Sequence, residues 1–126
     1  MAECVFVGWL EFEPGDRDRW MVHAGDLVAA TLKEPGCRRY VVVPDPDNDN
    51  RIIFHEVYVD EAAHKAHSAS AHMARSKELT ASCRWTAISL DKFEATRVSR
   101  SDLSPRDLAA ELWSDFAKSN AGKDAR

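Results

Sequence analysis

The sequence lacks long apolar runs, and no stretch of its 126 residues approaches the roughly 20 apolar residues that span a bilayer. No basic residues precede the first apolar stretch, which argues against a secretory signal peptide. The five glycines and five prolines are too few for a fibrous chain, and a hydrophobic share of 44% is too high for a disordered one. We therefore expect one cytoplasmic domain with no membrane partner.

Cysteine pairs and basic clusters are also missing. Cys4, Cys37 and Cys83 lie far apart, and no two have the short spacing of a zinc or redox motif. Such isolated thiols are typical of reduced cytosolic proteins. The 17 Lys and Arg residues are scattered among 21 Asp and Glu, for a net charge of −4, so the sequence shows no basic stripe. It therefore predicts no nucleic-acid partner.

Hydrophobic patterning predicts four strands and three helices. Runs rich in β-branched and aromatic residues predict strands over residues 4–13, 37–43, 51–59 and 86–98. Helical spacing and capping residues predict helices over residues 16–34, 61–73 and 105–118. The polar segment 74–84 is compatible with a further helical turn or a loop. The order βαββαβ indicates an α+β, ferredoxin-like antiparallel sheet with both helices on one face, plus an extra C-terminal helix.

Both faces of the predicted strands are apolar. In the first strand, one face carries Val5, Val7 and Trp9, and the other carries Phe6, Leu10 and Phe12. A sheet with one face open to water should instead alternate apolar and polar residues. Since most oligomers are closed and symmetric, we expect a second copy of the sheet to cover the second face in a homodimer. The terminal helix has its own apolar stripe, Leu108, Leu112 and Phe116.

Two ordered motifs carry a family resemblance. The run EPGCRRYVVV, followed by FHEVYVDEAAHKAHSASAHM, resembles the antibiotic biosynthesis monooxygenase domain. The positions that match the family's pattern are Glu34, Pro35, Gly36, Cys37, Tyr40, Glu56, Tyr58, Asp60, Ala63, His67, Ser70 and His72. The resemblance covers about residues 4–98. It therefore suggests a domain over residues 1–100 and a helical extension over residues 101–126.

The resemblance implies a dimeric α/β barrel and a choice among several activities. Some family members oxygenate anthrones or quinols without metal or flavin, some degrade haem, and others isomerise small carbonyl compounds. The haem-degrading branch carries an Asn on the first strand, and a Trp and an axial His ten positions apart on the second helix. Here the first strand has no Asn, and the two helix positions are His67 and Lys77. The sequence thus argues against haem degradation.

The second predicted helix is unusual because the positions that we expect to face the sheet are small. They are Ala62, Ala63, Ala66, Ala69, Ser70 and Met73. Such a helix either packs tightly on the sheet or leaves a pocket beneath it. His67 falls on the same side, where it is either a core histidine or a general base. His64 and His67 are spaced to share a metal, but no carboxylate has a matching offset, so we expect solvent exposure for His64 and no metal site.

These residues define the predicted site. His67 is the first candidate for a catalytic base, with Tyr40 and His72 placed to orient substrate oxygens. A flat aromatic substrate would stack on Trp9 and Trp20, although tryptophans of this kind are more often part of the core. Glu56 and Tyr58 share a strand face and are candidates for substrate binding. A structural hydrogen bond is the alternative for Glu56, because an unpaired buried carboxylate is unfavourable.

The functional prediction is a cofactor-independent monooxygenase that acts on an electron-rich aromatic, quinol or anthrone-like small molecule. Its partners would be that substrate, molecular oxygen and a second copy of the chain, with no cofactor. Two alternatives remain at this stage. One is an isomerase or other non-oxygen enzyme in the same pocket, and the other is a non-catalytic dimeric binding or stress protein. Fold membership does not choose among them.

Overall fold

A computed structural model describes residues 2–102, 104–107 and 118 of the chain. The chain divides into two compact units, Met1–Thr96 and Arg97–Arg126. In the second unit the described residues include a short helix, Pro105–Asp107. Most of the predicted helix over residues 105–118, with its stripe of Leu108, Leu112 and Phe116, lies outside the described residues. No described helix is both long enough and apolar enough to cross a membrane.

The first unit alternates strands and helices in the predicted βαββαβ order, with each helical connection split in two. Its elements are β1 (Glu3–Phe12), α1 (Asp16–Met21), α2 (Ala24–Leu32), β2 (Cys37–Pro44), β3 (Arg51–Tyr58), α3 (Glu61–Ser68), α4 (Ala71–Ser82) and β4 (Trp85–Ala95). The short helix of the second unit is α5.

The four strands form one sheet in the order β2-β3-β1-β4, and every pairing is antiparallel. Phe6 of β1 lies opposite Glu56 of β3, which in turn lies opposite Tyr40 of β2. Side chains at paired positions share a face of the sheet. The register thus brings residues that are distant in sequence onto the face where the helices pack. The predicted ferredoxin-like α+β fold is confirmed.

The helices cover one face of this sheet. The main core joins Leu10, Phe12 and Ile52 of the sheet to Trp20 and to further side chains of α1, α2 and α4. The opposite face stays apolar and open in the single chain, where Val7 is 43% exposed, Val43 41% and Phe93 52%. Two apolar faces are therefore present, as the strand pattern predicts.

The helical segments differ from the prediction at two points. The first is interrupted at Val22 and His23, between α1 and α2. The second is interrupted at Ala69 and Ser70, and α4 then continues through Ser82 across the segment whose structure the sequence left open. Ser70 causes the second interruption, because its hydroxyl donates to the carbonyl of His67 and accepts from the backbone N–H of Met73.

Candidate functional site

A cavity of about 390 Å³ lies between the helices and the sheet. Its apolar walls come from both layers, and aromatic or aliphatic lining residues include Phe6, Leu10, Trp20, Phe54, Ile88 and Leu90. Its polar lining includes Tyr40, Glu56, His64 and His67. Small-molecule sites are typically cavities of this size, mainly apolar with a few convergent polar groups.

His67 is held at the wall of this cavity by a carboxylate. Its side chain is 2% exposed, and its Nδ1 atom lies 2.8 Å from Oε2 of Glu34. Because a carboxylate only accepts hydrogen bonds, this contact places a proton on Nδ1. In the neutral imidazole, Nε2 then keeps the lone pair. A histidine oriented in this way is arranged to act as a general base.

The helix interruption at Ser70 brings a second histidine to the same carboxylate. Nε2 of His72 lies 2.5 Å from Oε2 of Glu34. On one continuous helix, side chains five positions apart would point about 140° away from each other. Because α3 ends at Ser68 and α4 begins at Ala71, His67 and His72 instead converge on Glu34.

Gly36 allows the helix that carries His67 to approach the end of α2. A Cβ atom at Gly36 would lie 2.3 Å from the Cβ of Ala63. Any larger residue at position 36 would therefore push α3 away from this loop. Glu34 lies two residues beyond the end of α2, and its backbone N–H donates to the carbonyl of Thr31. Close packing at Gly36 and Ala63 thus brings Glu34 within reach of His67.

Glu56 and Tyr58 lie on the other side of His67. The hydroxyl of Tyr58 donates to Oε1 of Glu56 at 2.5 Å, and that oxygen lies 3.8 Å from Nε2 of His67. Burial raises the pKa of Glu56 above its usual value, although the Tyr58 hydrogen bond and nearby His67 oppose the change. Tyr58 is fully buried, so we assign it to support of Glu56 and not to direct substrate contact.

Tyr40 also lines the cavity. It is 5% exposed, and its ring centroid lies 5.4 Å from that of His67. Burial, reinforced by the charge of Glu56, raises the pKa of Tyr40 well above its usual value. The phenol therefore stays protonated near neutral pH and is available as a hydrogen-bond donor.

The two predicted tryptophans lie in different places. Trp20 lines the cavity, and its Nε1–H donates to Oγ1 of Thr80 at 3.0 Å. Trp9 lies on the opposite face of the sheet, where the guanidinium of Arg51 is 3.7 Å from its ring centroid. The expectation that Trp9 lines the same pocket is therefore wrong, because alternate residues of β1 point to opposite faces.

The predicted positions of His64 and His72 also differ from those in the structure. His64 faces the sheet rather than solvent, with its ring centroid 4.3 Å from that of Phe6, and burial lowers its pKa. Its neighbours Ala62, Ala66 and Ala69, predicted to face inward, are exposed. His72 lines a smaller cavity of about 230 Å³ and does not line the larger one. It therefore cannot orient a substrate in the larger cavity by direct contact.

The same cluster has the donor set of a metal site. One ligand atom from each of Glu34, His67 and His72 lies within 4.8 Å of the other two. The helical spacing pointed to His64 and His67 as the metal pair and gave no role to Glu34. That residue was detectable only as the first position of the Glu-Pro-Gly-Cys motif, because its partners lie 33 and 38 positions away.

The family of the chain follows from its similarity to known proteins. A family model described as antibiotic biosynthesis monooxygenase matches residues 5–79. The chain belongs to this family. Its motif positions Glu34, His67 and His72 are therefore the family-pattern residues that the fold gathers into one cluster. No curated protein sequence is significantly similar to the chain.

Solved structures share the fold of this family member at low sequence identity. A conserved protein from Methanosarcina mazei is 23% identical, with a TM-score of 0.69 over 76% of this chain and 95% of its own. A conserved protein of unknown function from Bacteroides thetaiotaomicron is 21% identical, with a TM-score of 0.67 over 75% of this chain and 98% of its own. A protein of Nitrosomonas europaea, provisionally named an antibiotic biosynthesis monooxygenase, is 14% identical, with a TM-score of 0.71 over 78% of this chain and 94% of its own. At these identities the likeness extends to the fold alone.

Proposed function

We propose that this family member is a cofactor-independent monooxygenase for an electron-rich aromatic small molecule, such as a quinol or an anthrone. The observation that carries this proposal is the position of His67. It lines an apolar cavity while a carboxylate holds its Nδ1 proton, so that Nε2 is free to accept another. The described residues that line this cavity all fall within residues 1–100, and we assign the activity to that domain.

The cavity suits a flat apolar substrate with one or two oxygens. Phe54, Ile88 and Leu90 offer apolar walls, and the Tyr40 hydroxyl offers a hydrogen bond to a substrate oxygen. The volume of about 390 Å³ lies within the range of small-molecule sites. A substrate bound against these apolar walls would displace water, which otherwise stabilises a substrate anion and slows its oxidation.

In the proposed reaction, His67 first takes a proton from the substrate through Nε2. The electron-rich anion then passes one electron to molecular oxygen, and the resulting radical and superoxide combine to form a carbon–oxygen bond. Proton transfer and loss of water convert this peroxide into a carbonyl group. Overall, a CH₂ group and O₂ yield a C=O group and H₂O. The charge of Glu34 stabilises the imidazolium form of His67 between these steps.

We infer that the working form is a homodimer in which a second copy covers the open face of the sheet. The exposed apolar side chains Val7, Val43 and Phe93 support this inference, since so much apolar surface is unfavourable in water. A cytoplasmic location fits the three unpaired cysteines Cys4, Cys37 and Cys83.

An isomerase is the second candidate function, and Glu56 favours it. Proton shuttling between two carbons requires a base and an acid, and the raised pKa of Glu56 beside His67 supplies a second proton carrier. Oxygen consumption distinguishes the two activities. Purified protein is screened against quinols and anthrones with an oxygen electrode, and product formation is followed in parallel. Turnover with oxygen uptake supports the monooxygenase, and turnover without it supports the isomerase.

A further inference from the structure

We propose that Glu34, His67 and His72 bind a divalent transition-metal ion such as zinc, and that bound metal and catalysis by His67 exclude each other. The binding site stands on the geometry of the cluster alone. The mutual exclusion rests on the proposed function of His67 as a base.

The three ligand atoms lie within 4.8 Å of one another. Nδ1 of His67 and Nε2 of His72 lie 2.8 Å and 2.5 Å from the same Oε2 atom of Glu34. Zinc bonds of about 2.0–2.1 Å in tetrahedral geometry would separate neighbouring ligand atoms by about 3.3 Å. Each histidine therefore needs to retreat from Oε2 by less than about 1 Å. The two histidines lie on separate helices, so each can adjust independently.

The donor set matches a catalytic or regulatory metal site better than a structural one. Two imidazoles and one carboxylate leave at least one coordination position for water or another ligand, whereas structural zinc sites use four protein ligands. Imidazole nitrogen favours zinc, copper, iron and nickel over magnesium and calcium. The probe of choice is therefore a transition-metal ion.

The electrostatic balance around His67 also favours a cation. Glu34 and Glu56 flank the ring with side chains only 17% and 13% exposed. Among the described residues, the ion pairs of these two carboxylates involve histidines, with no Lys or Arg. A permanent positive charge is therefore missing beside two carboxylates that are largely removed from water. A dication at Glu34 would supply it.

Metal binding would change the tautomer of His67. With Nδ1 bound to the metal, the neutral ring carries its proton on Nε2, which faces Oε1 of Glu56 at 3.8 Å. The Tyr58 hydroxyl already orients this carboxylate, so Glu56 is placed as the outer partner of a carboxylate–histidine–metal arrangement. The lone pair on Nε2 is then absent, and the ring cannot accept a substrate proton.

The two histidines of the cluster border different cavities. His72 lines the smaller cavity of about 230 Å³, together with Asp26, Ser76 and Arg75. His67 lines the larger one. A metal ion held by both histidines would therefore lie between the two cavities.

The binding test uses metal-free, full-length protein titrated with Zn²⁺ by calorimetry and thermal unfolding. Wild type should bind one ion per chain and melt at a higher temperature with zinc present. His72→Gln and Glu34→Gln should each weaken binding by about 100-fold or more. The control, His23→Gln, removes an exposed histidine that lines the smaller cavity with His72 but does not belong to the cluster, and it should bind zinc as wild type does. Circular dichroism of each metal-free variant checks that it folds.

Cobalt(II) supplies a second readout, because its absorption spectrum reports coordination by nitrogen and oxygen ligands in a low-symmetry site. Wild type and His23→Gln should show one saturable spectrum, which His72→Gln should lose. Equal zinc affinity in wild type, Glu34→Gln and His72→Gln would overturn the site, as would the absence of binding.

The exclusion is tested on any substrate that the oxygen screen identifies. One equivalent of Zn²⁺ should stop oxygen uptake by wild type and by His23→Gln, and chelator should restore it. Whatever rate His72→Gln retains should be insensitive to the same zinc concentration. Zinc binding without loss of rate would overturn the exclusion but leave the metal site standing. If no compound is oxidised while zinc still binds, the proposed function fails and the metal site does not.

Discussion

Nδ1 of His67 lies 2.8 Å from Oε2 of Glu34, across 33 positions of the chain. This single contact orients the histidine, sets its tautomer and joins the end of α2 to α3. It also connects His67 to His72 through the same carboxylate oxygen. The activity and the metal affinity that we propose both depend on it.

Replacement of His67 should remove the base. His67→Ala should reduce turnover by about 10²–10⁴-fold, the usual contribution of a general base. The side chain is 2% exposed and hydrogen-bonded, so we also expect destabilisation by about 1–3 kcal/mol. Oxygen uptake and thermal unfolding measure the two effects, with His23→Ala as the control. Full activity in His67→Ala would contradict the assignment, and loss of wild-type activity with chelator would contradict the cofactor-free mechanism.

Glu34 should act as a positioning residue. Glu34→Gln keeps the size of the side chain but removes the charge that stabilises protonated His67. We expect kcat to fall by about 10–100-fold while KM changes little, because Glu34 does not line the substrate cavity. Glu13→Gln, at an exposed carboxylate before α1, is the matched control. An equal fall in both variants would remove the case for a specific role.

Asp16 should make stability depend on pH in the acid range. The backbone N–H and side chain of Arg84 hold the pKa of Asp16 below its usual value of 3.8. Because folding lowers this pKa, the Asp16 carboxylate stabilises the folded protein above pH 3.8. The contribution disappears as the pH falls through the pKa of Asp16 in the folded protein. The melting temperature of Asp16→Asn should therefore lie below that of wild type at neutral pH, and the difference should shrink in acid.

Asp18→Asn serves as the control for this measurement, since Asp18 is exposed and pairs only with the neighbouring Arg17 among the described residues. Its melting temperature should follow that of wild type at every pH. A constant difference between Asp16→Asn and wild type from neutral pH into acid would show that the Arg84 contact does not depend on the carboxylate charge.

The two tyrosines should resist ionisation in the folded protein. Tyr40 and Tyr58 are the whole tyrosine content, and burial raises the pKa of both well above the usual value of 10.0. Because the neutral phenols are favoured in the folded state, they contribute to stability below pH 10.0. This contribution is lost as the pH rises further. The tyrosinate absorption should therefore appear together with loss of helical circular dichroism. Tyrosinate in a protein that keeps its helices would contradict this burial.

The open sheet face should form the dimer interface. Sedimentation at micromolar concentration should show a species of about twice 14.1 kDa. An obligate interface of about 2,000 Å² or more should not tolerate a buried charge, so Val7→Asp should yield monomers. The control, Val22→Asp, places the same charge at a residue that is 77% exposed between α1 and α2. A monomeric wild type would refute the dimer.

The order of strands and helices was readable from the sequence because the signals are local. Alternating or continuous apolar runs mark the strands, and Asp60 caps α3 through the backbone N–H of Ala63, as its position predicts. The break at Ser70 was harder to predict, since Ser and Ala are compatible with a continuous helix. The hydrogen bonds of the Ser70 hydroxyl, to the carbonyl of His67 and from the N–H of Met73, are seen only in the folded structure.

The βαββαβ order, the two apolar sheet faces and the inward position of His67 were predictable from the sequence. Local periodicity is enough to specify each of these. Which side chains meet could be seen only in the folded chain. The fold placed Trp9 on the face away from the cavity, turned His64 inward, and brought Glu34 to His67 and His72. The convergence of side chains from separate elements depends on strand register, helix breaks and close packing at Gly36. A local sequence pattern specifies none of these features.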